Sequence, residues 1–121
     1  MRRFQGTPPI SITDRRAIAF DARALVRVVA GLRDRVSGIG LPPNEPTGVL
    51  FDPESSRVAF CYAEGSERVT VAANRLGALL VSYCIRAHIP VPRYPEKNVR
   101  VEPDAVVIEW TTYFSDVKEN P

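Results

Sequence analysis

One histidine and two cysteines in 121 residues leave little from which to build a metal centre or a catalytic triad. Cys61 and Cys84 fit neither a CxxC pair nor the usual zinc spacings, and two buried thiols are expected in preference to a disulfide. No helical stretch carries carboxylates three or four positions apart, so no metal site is expected. Phosphate-cradling glycines are missing too. Gly38-Ile39-Gly40 is the only close glycine pair, and it follows a helical stretch where an anion site needs glycines ahead of one. That order excludes the common nucleotide loops, and no cofactor is expected.

Long apolar runs are also lacking. The longest, residues 76–81, falls far short of the ~20 residues that a membrane-spanning helix needs. Arg2 and Arg3 precede no apolar stretch of the kind a secretory leader carries. The expectation is a cytoplasmic protein with no membrane partner.

Arginine, in contrast, is plentiful: it supplies fourteen of the sixteen basic residues. Eight of these lie in residues 1–35 against three acids, while the remainder holds eight bases and eleven acids. Such asymmetry suits nucleic acid or an acidic partner, but a net charge of +2 steers little by itself.

Hydrophobic spacing carries the architecture. Residues 1–12, with Gly6 and Pro8-Pro9, read as a flexible N-terminal arm, and residues 115–121 as a frayed polar tail. Between them, residues 13–114 are long enough for one α+β domain. Residues 16–20 fit either an extended lead-in or the start of a longer helix; the extended form is preferred, because Arg15-Arg16 sits badly at a helix N-terminus. Asp21 then caps a helix to about Ser37, whose Leu25, Val28, Val29, Leu32 and Val36 share one face.

Three strands follow, at residues 47–51, 57–63 and 68–71. The second is apolar on both faces and belongs in the middle of a sheet. A second helix spans about 73–87, stopped by Pro90. A hairpin of residues 98–101 and 105–114 closes the domain. The resulting fold is α+β, a mostly antiparallel sheet of about five strands with two helices packed on one face. Placing the Trp110 strand at a sheet edge would let a second copy extend the sheet, giving a homo-oligomer.

Chemistry-bearing residues are sparse. Cys84 and His88 lie one helical turn apart, the one pairing that would set a thiol beside an imidazole able to activate it. A buried inert thiol and a helix-terminal imidazole are the stronger account of the two. Arg86, His88, Arg93, Tyr94 and Lys97 gather on a proline-stiffened stretch that loses little entropy on docking. These five are the candidate partner-binding residues, and no catalytic residue is assigned. The preferred reading is a small non-enzymatic interaction or regulatory module whose protein partner is unknown. The alternative is a nucleic-acid-associated protein using the arginine-rich N-terminal third and the 86–100 basic and aromatic loop. Third comes a small-molecule binder or enzyme with a site near Cys84 and His88.

Overall fold

Strand alternation sets the first sheet. In the computed structural model, which describes residues 11–63, 68–94 and 96–115, Ile18 and Phe20 face inward from strand β1, Ser11–Phe20. Val106 and Ile108 do the same from strand β6, Ala105–Ser115. The two strands pair antiparallel over the whole of β1, from Ser11 opposite Ser115 to Phe20 opposite Val106. Strand β5, Asn98–Glu102, pairs antiparallel with the other edge of β6, so the order is β1-β6-β5.

A second three-stranded sheet is the expected meander. Strands β2 (Gly48–Asp52), β3 (Arg57–Cys61) and β4 (Arg68–Ala72) run antiparallel with β3 in the middle. Val58 and Phe60 of β3 are fully buried while Ala59 and Cys61 on its other face are half-buried, as two-sided apolarity requires. β2 and β5 approach each other without joining into one hydrogen-bonded sheet.

Helix α1, Ala22–Gly31, starts where expected: the Asp21 carboxylate accepts the Ala24 N–H at 2.9 Å. It ends earlier than the spacing implies. Gly31 weakens helix by about 1 kcal/mol relative to alanine, and Leu32 leaves helical geometry while donating its N–H to the Val28 and Val29 carbonyls. The inward stripe nevertheless continues, because Leu32 stays buried in the turn and Val36 in a short 3-10 segment, Val36–Ile39. Gly40, at φ 85°, takes the left-handed conformation that closes it.

Helix α2, Ala73–Arg86, buries Leu76, Leu79, Leu80 and Cys84. Its Gly77 brings the helix against β5, since a Cβ there would stand 2.9 Å from Val99 Cγ2. The helices touch each other, and side chains from both join those of both sheets in one apolar cluster. The α+β architecture with mostly antiparallel pairing holds, with two corrections. Among the described residues there are six strands in two sheets where about five in one were expected, the addition being β1, which absorbs residues 16–20 and also Ser11 and Ile12. The Trp110 strand is central, not an edge, because β1 covers its open side and sets Arg16 opposite Trp110. Ser115, the first residue of the expected tail 115–121, belongs to β6; the rest of that tail, 116–121, and the rest of the expected arm, residues 1–10, lie outside the described residues.

Candidate interaction surface

The last turn of α2 sets the direction of the chain beyond it. His88 adopts a left-handed conformation, φ 59°, the place usually held by glycine. Its N–H donates to the Ile85 carbonyl at 3.2 Å, and the Ile89 N–H reaches back to the Cys84 carbonyl at 2.8 Å. These two bonds satisfy free carbonyls of the last turn and throw the chain into the connection 89–97. His88 is therefore an exposed helix-stopping residue.

Cys84, in contrast, is fully buried, and burial pushes its thiol pKa up, away from the reactive thiolate. Cys61 is half-buried, and both cysteines are free thiols. Opposite exposures and a raised thiol pKa give Cys84 and His88 no feature of an activated pair. Among the described residues, no three or more His, Cys, Asp or Glu side chains gather to hold a metal ion.

The five residues singled out from sequence are all on the surface stretch after Cys84, but most of their cations are engaged within the chain. The Arg86 guanidinium donates to the Gly31 carbonyl at 2.7 Å, satisfying the end of α1. The half-buried Lys97 ammonium donates to the Pro92 carbonyl and, at 3.2 Å, to that of Arg93, bracing the connection. Arg100 pairs with Glu102 and Glu109. Arg93 has no hydrogen bond or ion pair from its side chain among the described residues, and Tyr94 stands 78% exposed.

Two apolar residues belong to this surface that spacing arguments did not single out. Ile85 is 66% exposed and Ile89 is also open to solvent. Ile85 was legible in principle, since it falls on the polar side of α2, opposite the Leu76–Leu80–Cys84 stripe. It shares a shallow hollow of about 280 Å³ with Arg35, Ser82 and Arg86. Arg35 is fixed there by donating to the Ser82 hydroxyl at 2.9 Å. The hollow thus sets one exposed apolar side chain beside two guanidinium groups held by hydrogen bonds.

A larger open groove, about 600 Å³, runs between α2 and the β5–β6 hairpin. Gly77, Ala78 and Val81 form one wall, Val99 and Ile108 the other, and Lys97 and Asn98 one end. Small residues on the helix make it, and no local pattern announces it. No helix among the described residues is long and apolar enough to cross a membrane. In comparisons with known proteins the chain matches no family model, no curated protein and no solved structure.

Proposed function

We propose that this protein acts by contact, as a small interaction or regulatory module, through the end of α2 and the connection after it. The observation that carries this reading is the exposure of Ile85, Ile89 and Tyr94 on a backbone already held in place. Large apolar side chains kept in water on a braced segment lose little freedom on binding, and burying them is favourable. Arg93, whose side chain makes no hydrogen bond or ion pair among the described residues, favours a partner stretch that is apolar and acidic.

The nucleic-acid alternative has less support in its 86–100 loop, because Arg86, Lys97 and Arg100 already donate to groups of the chain itself. Backbone phosphates need several uncommitted cations on one face.

A photo-crosslinking residue placed at position 94, with position 54 as control, tests the reading in cell extract. One discrete adduct at 94, absent at 54 and lost on Ile85→Asp, is expected. No adduct, or equal labelling at both positions, would remove it. Oligonucleotide binding that weakens steeply with salt and with Arg93→Ala would replace it with the alternative.

A further inference from the structure

We infer that two copies of this chain join edge to edge through β1, which pairs antiparallel with β1 of the second copy about a two-fold axis at Arg15. This surface is separate from the one proposed above, so either proposal can fail without the other.

Among the described residues, β1 is the outer strand of its sheet, hydrogen-bonded to β6 on one side only. It spans Ser11–Phe20, and all of it except Asp14, Ile18 and Phe20 is exposed. A long open edge presents unpaired N–H and C=O groups, and proteins commonly protect such an edge with charge. Asp14, Arg15 and Arg16 look like that protection. Their arrangement decides otherwise.

Ile12, Asp14, Arg16 and Ile18 share one face of β1, the face on which Ile18 packs against the core. Along this face the order is apolar, negative, positive, apolar. Antiparallel self-pairing with Arg15 on the axis sets Asp14 opposite Arg16 of the second copy and Ile12 opposite its Ile18, each pair occurring twice. In the free chain Asp14 and Arg16 already pair with each other, at 3.0 Å, while both remain accessible. Moving the axis to Asp14 would oppose Asp14 with itself and Ile12 with Arg16. Moving it to Arg16 would oppose Arg16 with itself and Asp14 with Ile18. Of these registers, only the one centred on Arg15 is self-complementary in both charge and apolarity. Opposite-charge and apolar cross-strand pairs are what stabilise a ladder.

The β6 partners extend the match. Phe114 lies opposite Ile12, and Ile108 opposite Ile18. In the paired form, Phe114 and Ile12 of one copy run in a single row with Ile18 and Ile108 of the other. Ile12 and Phe114, 52% and 45% exposed in the single chain, thereby gain apolar neighbours. The opposing feature is Arg15 facing its own copy on the far side of the sheet. That side chain is exposed, and its one like-charge contact, screened by solvent and salt as the Asp14–Arg16 pairs also are, stands against two opposite-charge pairs and two apolar ones. The assembly is a continuous six-stranded sheet, β5-β6-β1 followed by its two-fold copy, a closed isologous dimer.

Sedimentation equilibrium over a concentration series tests this with Asp14→Arg and Arg16→Asp. The unaltered chain is expected to show a monomer–dimer equilibrium. Each single variant, now opposing like charges twice, is expected to weaken it by roughly tenfold or more. In an equal mixture, the two positive charges of one variant face the two negative charges of the other in both rows. A heterodimer should therefore return although neither variant pairs with itself. An unaltered chain that stays monomeric throughout, single variants that dimerise undiminished, or a mixture without recovery would each overturn the proposal. Because recovery requires both variants to be folded, it separates lost pairing from lost structure.

Discussion

Tyr62 carries its hydroxyl into the core, and among the described residues that oxygen has no hydrogen-bond partner. An orphaned buried hydroxyl costs about 1–3 kcal/mol. Tyr62→Phe is therefore expected to hold or raise stability in urea unfolding, where most core substitutions lower it. Burial also pushes the Tyr62 phenol pKa above its ordinary 10.0 and the Cys84 thiol above 9.0. Both groups stay neutral in the folded chain at a pH where the unfolded chain has begun to ionise them. Their contribution is whole below the unfolded values and is lost as pH rises through the folded ones. Stability should thus decline on the alkaline side, and Tyr62→Phe should flatten that decline; an unchanged slope would exonerate the phenol. Asp52 works in the opposite sense: the Ser55 hydroxyl and amide lower its pKa, so its support of the turn is whole above the ordinary 3.8 and is lost as pH falls through the lowered value.

At the scale of elements, α2 shows how much of a helix is legible and where legibility stops. The spacing of Leu76, Leu79, Leu80, Tyr83 and Ala87 predicts its inward stripe; the three leucines are buried and Tyr83 is half-buried. Ala87, just past the last helical residue, is exposed, while the observed bounds lie within a residue of the expected 73–87. Its ending is another matter. Pro90 marks where a helix has to have stopped, but the device that stops it is His88 in a left-handed conformation with two backward hydrogen bonds. For a non-glycine residue that conformation costs about 1–2 kcal/mol. His88→Gly is expected to raise stability by about 1 kcal/mol in the same unfolding measurement. A loss would mean that the imidazole makes contacts worth more than the backbone relief. α1 shows the converse case: the burial of Leu32 and Val36 was legible, yet the helix carrying them breaks at Gly31, because burial depends on which face points inward and not on continuous helical hydrogen bonding.

For the molecule as a whole, one apolar cluster binds two sheets that, among the described residues, share no hydrogen-bonded edge. Phe60 in β3 and Ile108 in β6 are both fully buried within it, though they belong to different sheets. A shared core predicts a single cooperative transition. Phe60→Ala is expected to cost about 3–5 kcal/mol. It should shift the fluorescence transition of Trp110, the only tryptophan and a member of the other sheet, together with the circular-dichroism transition. If the Trp110 signal keeps its midpoint while the other moves, the sheets fold separately.

Local order in this chain was determined by residue spacing: strand alternation, two helical stripes, the Asp21 cap and the left-handed closure at Gly40 all act between near neighbours. Tertiary structure alone decided that the strands divide into two sheets, that β1 covers the open side of β6, and that α2 leaves a groove beside Val99. It also decided the fate of the basic stretch, where Arg86 reaches Gly31 and Arg100 reaches Glu109. The physical reason is range. Periodicity reports which side of an element avoids water, whereas strand partners and the resting places of long cationic side chains depend on groups brought close only by folding.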